Sequence, residues 1–153
     1  MNMRMSEEIL ECHGIRPTPV RVLVLELFGR VSDPVSALDI ETALHTVDRS
    51  SISRTLALFM ETGLLHSIDD GSGSVKYELC HNCAVTAPHE HEPDVFFHRH
   101  SDLHLHFHCT VCGKTECLPD SEIPPVSLPE GYVGHGANFV ITGICASCAA
   151  RRQ

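Results

Sequence analysis

Up to Thr62 the apolar residues recur at helical spacing; beyond it they alternate with polar ones, so helices give way to strands. Residues 6–13 are predicted as a short helix stopped by Gly14. Thr18-Pro19 supplies an N-cap and a proline at the first helical position. Residues 20–30 continue as helix, with Val20, Leu23, Val24, Leu27 and Phe28 on the apolar face. After Asp33-Pro34, Ser36 and Asp39 make a Ser-x-x-Asp start for another helix, whose apolar face is Leu38, Ile40, Ala43 and Leu44. Asp48 is predicted to cap a helix running to Thr62 and stopped by Gly63. Its stripe is Ile52, Leu56, Phe59 and Met60, while Arg49, Ser50, Ser53, Arg54 and Ala57 fall largely off it. Residues 64–68 and 75–79 read as two strands of a hairpin, joined by Asp69-Asp70-Gly-Ser-Gly-Ser.

Helices closed by a hairpin are the order of a winged helix-turn-helix, with the helix after Asp48 as the reading element. A small helical domain with a solvated polar face fits those residues equally well. From 81 to 101 the chain is poor in apolar residues and carries His81, His89, His91, His98 and His100, which reads as a solvated loop. His104, His106 and His108 then alternate with Leu103, Leu105 and Phe107, a strand with imidazoles on one face and apolar groups on the other. Pro119, Pro124, Pro125 and Pro129 forbid a long helix after it. Residues 132–142 are predicted as strand, interrupted by Gly134 and Gly136. The expected class is α+β: a winged helix at 1–80, a His-rich linker at 81–101 and a metal-binding domain at 102–153.

Composition narrows the chemistry. With 153 residues the chain suffices for one ordinary domain or two small ones. It has no membrane-length apolar run and no signal-peptide pattern, which places its expected location in the cytoplasm, away from membranes. In a reducing compartment eight cysteines point to metal or redox chemistry rather than disulfides. Cys80/Cys83, Cys109/Cys112 and Cys145/Cys148 are Cys-x-x-Cys pairs; Cys12 and Cys117 are single. A net charge of −9 argues against nonspecific nucleic-acid binding.

Cys109, Cys112, Cys145 and Cys148 form a four-thiolate set on two separated turns, the donor set of a closed, structural zinc site. His104 and His106 point the same way and lie outside that set. Cys80 and His66, on the two hairpin strands, reach them if the halves of the chain pack together. Mixed nitrogen and sulfur donors suit zinc better than ferrous iron or manganese, which prefer oxygen. A site shared by both halves couples metal binding to their orientation. Glu78, Cys83, His108 and Cys117 are reserve ligands.

These residues carry a family resemblance. Gly14-Ile-Arg16-Pro-Thr18-Pro-Val-Arg21, Ser36-Ala37, Ser51-Ile-Ser53-Arg54-Thr-Leu56, Glu61-Thr-Gly63-Leu64, Tyr77-Glu78-Leu79, His104-Leu-His106, Cys109-Thr-Val-Cys112-Gly-Lys114 and Gly143-Ile-Cys145-Ala-Ser-Cys148 follow one another through nearly the whole chain. In this the chain resembles the ferric uptake regulator family of metal-dependent repressors. The resemblance implies a homodimer of winged helices joined through C-terminal α/β dimerisation domains, closed by metal onto a pseudopalindromic double-stranded operator. His66, Cys80, His104 and His106 match best the regulatory ligands of the zinc uptake regulator branch. Iron-sensing members use the position of Glu78, a histidine where this chain has Pro34 and a glutamate where it has Cys117. The family's additional-site ligands fall on Leu103 and Leu105, and its base-reading tyrosine on Ser53. DNA contacts are expected from Arg16, Arg49, Ser51, Ser53 and Arg54.

The leading expectation is therefore a zinc-responsive repressor, ahead of an iron- or peroxide-sensing member of the same family. A zinc hydrolase or deaminase needs an open metal position beside a general base, and the deaminase His-x-Glu and Pro-Cys-x-x-Cys pattern is missing. A thiol oxidoreductase needs a βαβ pattern around a Cys-x-x-Cys pair, and none surrounds these. The chain is not expected to be an enzyme.

Overall fold

The computed structural model describes residues 3–80, 105–118, 121, 123, 126–133 and 137–151. The chain divides into two compact units, Met1–Thr86 and Ala87–Gln153. The insert expected at 81–101 lies outside the described residues, as do His104 and Cys83.

In the first unit the helix signals act where they stand. Helix α1 covers Met3–Cys12 and ends on Gly14, whose φ of 69° suits a residue without a Cβ. Helix α2, Pro19–Phe28, is capped by Thr18, whose side chain accepts from the Arg21 N–H at 3.5 Å. Strand β1, Val35–Ser36, leads directly into α3, Ala37–Ala43. The Ser-x-x-Asp box is fully formed: Ser36 N–H donates to Asp39 Oδ2 at 2.8 Å, and Asp39 N–H donates to Ser36 Oγ at 3.2 Å. Helix α4, Arg49–Glu61, starts on Asp48 and gives way at Gly63, φ 72°. Strands β2, Leu65–Ile68, and β3, Lys76–Leu79, pair antiparallel with His66 opposite Glu78. β1 joins the other edge of β3, so the sheet order is β1-β3-β2.

Leu10, Ile15, Val24, Leu25, Phe28, Ile40, Ile52, Leu56, Phe59, Leu64 and Leu65 fill the core of this unit. The expected face of α3 needs correcting. Leu38 is 69 % exposed, and Ala43 is exposed as well. The packed stripe is Ala37, Ile40 and Leu44, spaced three and four residues apart, which is the true helical repeat. Leu38 stands about 100° round the helix from Ala37 and faces solvent.

The second unit is a three-stranded sheet, order β5-β4-β6, with β4 at Leu105–Cys109, β5 at Thr115–Leu118 and β6 at Val140–Gly143. β5 runs antiparallel to β4 and β6 parallel to it. Alternation on β4 holds from Leu105: His106 and His108 are buried, while Leu105 and Phe107 are half-buried. The strand expected at 132–142 is confined, among the described residues, to Val140–Gly143. A short helix α5, Ala146–Ala150, begins inside the last Cys-x-x-Cys pair, with Cys145 at its N-cap.

Candidate functional site

The parallel pairing of β4 with β6 sets Cys109 opposite Gly143, and so brings two cysteine turns to one end of the sheet. The first turn is closed by Gly113 N–H donating to the Cys109 carbonyl at 2.9 Å, and Cys109 N–H donating to the Lys114 carbonyl at 2.9 Å. Gly113, at φ 74°, supplies the left-handed residue it requires. Thr110 ties this turn to β6, its N–H donating to the Gly143 carbonyl at 2.8 Å and its hydroxyl at 3.1 Å. A Cβ on Gly143 would meet the Phe107 ring at 3.1 Å, so the smallest residue allows this approach. The second turn follows at once, with Cys148 N–H donating to the Cys145 carbonyl at 3.0 Å.

The sulfurs of Cys109, Cys112, Cys145 and Cys148 all lie within 4.8 Å of one another. Zinc–sulfur bonds of about 2.3 Å in a tetrahedron place sulfurs about 3.8 Å apart. Cys112 Sγ and Cys145 Sγ are 3.9 Å apart, so the donor set fits zinc. The backbone is arranged for negative charge at Cys109: the Cys145 N–H donates to its sulfur at 3.3 Å. That bond, followed by one from the Cys112 N–H, pulls the Cys109 thiol down to about 6. Cys148 is pushed up to about 12 by its contact with the Cys145 thiol and then by burial. A dication among the four would supply the positive charge that lets all of them stay deprotonated. Four thiolates fill a tetrahedron and leave no position for a reacting water.

A second donor cluster sits on the hairpin of the first unit. The β2–β3 register puts His66 and Glu78 on one face, with His66 Nε2 3.4 Å from Glu78 Oε2. Cys80 N–H donates to the Leu64 carbonyl at 3.1 Å, which continues the hairpin beyond β3. Its Sγ lies 3.7 Å from His66 Nδ1. The imidazole thus stands between a thiol and a carboxylate and meets them through opposite ring nitrogens. A cation held with Cys80 would use Nδ1, and one held with Glu78 would use Nε2. This two-sided arrangement has no signature in residue spacing, because it depends on the register of the strands and the rotamer of the ring.

In the second unit His106 is 3 % exposed and pairs in register with Cys117 across β4 and β5, so both side chains stand on one face. His108 is drawn to Thr115, Nδ1 to Oγ1 at 3.0 Å, which ties that reserve ligand to a structural contact.

The N-terminal half of α4 carries the residues expected to meet DNA. Asp48 accepts from the Ser51 N–H at 2.9 Å, from the Ser51 hydroxyl at 2.7 Å and from the Ser50 hydroxyl. Bonds from Ser50 and then Ser51 hold its carboxyl far below the usual range. Ser51 is therefore occupied in capping. Ser53 and Arg54 are exposed, and Arg54 Nη2 donates to the Ser50 and Ser51 hydroxyls at 3.3 Å each. Arg49 is ion-paired to Glu41 at 3.1 Å, and Arg16 is exposed ahead of α2.

No family model matches the chain. Its sequence is 30 % identical to the ferric uptake regulation protein of Synechococcus elongatus over 145 residues, spanning 88 % of this chain and 86 % of that one. The fold is similar to that of holo XcZur, with a TM-score of 0.61 at 21 % identity over 97 % of this chain and 96 % of that one. It is also similar to a zinc uptake regulator complexed with zinc and DNA, with a TM-score of 0.63 at 18 % identity over 98 % and 94 % of the two chains. For the ferric uptake regulator of Francisella tularensis with iron the TM-score is 0.57 at 20 % identity, over 89 % and 96 %. The α+β architecture of winged helix and small sheet is thus shared with these solved structures. Identity of that extent along most of both sequences places this protein in the ferric uptake regulator family of metal-responsive regulators.

Proposed function

We propose that the protein is a zinc-responsive transcriptional repressor of the cytoplasm, which binds operator DNA as a homodimer when its regulatory site holds metal. The observation that carries the zinc assignment is the thiol of Cys80 set 3.7 Å from His66 Nδ1 on the hairpin. Sulfur and imidazole nitrogen together favour zinc over ferrous iron or manganese. His104 and His106 of the second unit complete the set, with Cys117 in reserve. Zinc bound there would supply a shared positive centre for these four donors. The side chains do the rest: Cys80 and His66 anchor the winged helix, and His106 and His104 anchor the sheet, so that the two reading helices of a dimer take fixed spacing. The separate four-thiolate site is structural.

Residues 102–153 serve as the dimerisation domain and 1–80 as the DNA-binding domain. Ile141, 49 % exposed, pairs in register with half-buried Phe107, which leaves an apolar sheet face for a second copy of the chain to cover. Arg54, Arg49 and Ser53 of α4 and Arg16 ahead of α2 meet the duplex, while Ser51, expected to join them, caps α4 through Asp48 and orients Arg54. At a net charge of −9 such a protein binds DNA through a few placed cations, so its affinity depends on metal to set their geometry. A regulator, not an enzyme, is what a closed thiolate site and these relatives support. One observation favours a second reading: Glu78 at 3.4 Å from His66 Nε2 offers the oxygen–nitrogen pair of an iron or manganese sensor.

Titrating zinc, then ferrous iron, into chelator-treated full-length protein while following its binding to its own upstream DNA tests this. The expected result is a switch at the second zinc equivalent per chain, abolished by Cys80→Ser with His104→Ala while the first equivalent stays bound. A switch by iron alone, or one that survives the double substitution, overturns the zinc site.

A further inference from the structure

An acidic protein that binds DNA must place its few uncommitted cations well. Among the described residues Arg4 pairs with Glu8, Arg30 with Glu26, Arg49 with Glu41, Lys76 with Asp70 and Lys114 with Glu116. In the first unit this leaves Arg16, Arg21 and Arg54 outside the carboxylate pairs. Two of them, Arg21 and Arg54, share one cleft. Arg21 Nη1 donates to the Arg16 carbonyl at 2.7 Å, which fixes the guanidinium beside the start of α2. Arg21 and Arg54 both line a cleft of about 220 Å³, together with Thr18, Val20, Ser51 and Thr55. No carboxylate lines it.

We propose that this cleft between the first turn of α2 and the exposed side of α4 is a phosphate pocket that takes one phosphodiester of the DNA backbone. The proposal rests on the DNA-binding reading above and adds Arg21 and Thr18 to it. Guanidinium forks match phosphate oxygens in shape and charge. Arg54 is held for this by the Ser50 and Ser51 hydroxyls at 3.3 Å each. The Thr18 hydroxyl accepts from the Arg21 N–H, which leaves its own proton to donate. Val20 and Thr55 complete the lining of the cleft. Asp48 is the carboxylate whose charge bears on Arg54, and its oxygens are already engaged by Ser50 and Ser51. On the other flank of α4, Arg49 is ion-paired to Glu41 at 3.1 Å, so its own contact with the duplex competes with that carboxylate.

A contact to phosphate contributes to all duplexes alike and to the salt dependence, whereas a contact to a base changes discrimination. The test uses zinc-loaded full-length protein and two duplexes of equal length, its own upstream region and an unrelated sequence, across a range of potassium chloride. Arg21→Gln is expected to weaken both by about tenfold and to lower the slope of log affinity against log salt by about one. Arg21→Lys keeps a cation and is expected to lose affinity while retaining the slope, which separates the pocket from any effect on folding. Unchanged affinity and slope in Arg21→Gln, or a loss confined to the upstream sequence, overturns the pocket. Competition by millimolar inorganic phosphate with no effect of Arg21→Gln on DNA marks a site for free anions and also overturns the DNA assignment. Failure of the unsubstituted protein to bind either duplex at any zinc level sinks the parent reading instead.

Discussion

Lys76→Met would remove the ammonium that faces a buried carboxylate in the turn between β2 and β3. The Asp70 side chain is fully buried, and its Oδ2 lies 2.7 Å from Lys76 Nζ, itself 13 % exposed. Methionine keeps most of the stem and its packing, so the change isolates the charge. Breaking a buried pair from one side costs about 3–5 kcal/mol, because the partner keeps its desolvation and loses its counter-charge. Here Asp70 Oδ1 retains the Ser72 N–H at 3.0 Å, and the turn carries exposed Gly71 and Ser74 through which it opens to water. The expected loss therefore sits at the lower end, about 3 kcal/mol. For a unit of this size that lowers Tm by roughly 12–24 °C, taking about 4–8 °C per kcal/mol. Asp70→Asn with Lys76→Met removes both charges and is expected to recover most of the loss. Urea and thermal melts followed by circular dichroism measure both variants. A single-variant loss under about 1 kcal/mol, or a double variant no more stable than the single, refutes the buried-pair account of the wing.

Three further outcomes follow from features of the two units. Asp39 and Asp48 have carboxyls held below their ordinary value of 3.8, Asp39 chiefly by the Ser36 hydroxyl and Asp48 chiefly by that of Ser50. Since the folded values are lowered, their stabilisation is complete above 3.8 and is lost as pH falls below it; acid melts should show that slope, diminished in Asp48→Asn. Cys148→Ser should remove one zinc equivalent per chain by elemental analysis and with it the strand signal of the second unit, since such a site contributes on the order of 10 kcal/mol. Leu38→Ser should change stability by less than about 0.5 kcal/mol, whereas Ile40→Ala should cost about 2–5 kcal/mol; equal effects in denaturant melts would contradict the placement of the α3 stripe.

What could be read from residue order was local. Thr18-Pro19, Ser36-x-x-Asp39 and Asp48 act within one helical turn of themselves, so the starts of α2, α3 and α4 stand where those residues do. The four cysteines were legible because each pair is its own turn and thiolates have few other uses in such a pattern. What escaped is what depends on distant partners. β1 has two residues, too few to show a period, and exists only through β3. The parallel pairing of β4 with β6 leaves no trace in either strand alone. On β4 the period of two was visible, but not which face is the more buried: His106 and His108 are buried while Leu105 and Phe107 are half-buried. Leu38 is apolar but stands off the angular stripe of Ala37, Ile40 and Leu44, so its character alone does not predict its exposure.

That parallel pairing also sets an order of events as the chain folds. Closing the turn between β4 and β5 spans only residues 110–114, whereas Cys109 and Cys145 are 36 residues apart. By the logarithmic law of loop closure the longer loop costs about 3 kcal/mol of chain entropy, roughly twice the short one. Loop entropy therefore favours forming the β4–β5 hairpin with Cys109 and Cys112 before β6 and the two thiols that follow it. Zinc held by the early pair would shorten the search for the later one. With zinc withheld, β4 is expected to stay open along one edge for longer, and limited proteolysis with and without chelator should then cut the second unit faster in the chelated protein.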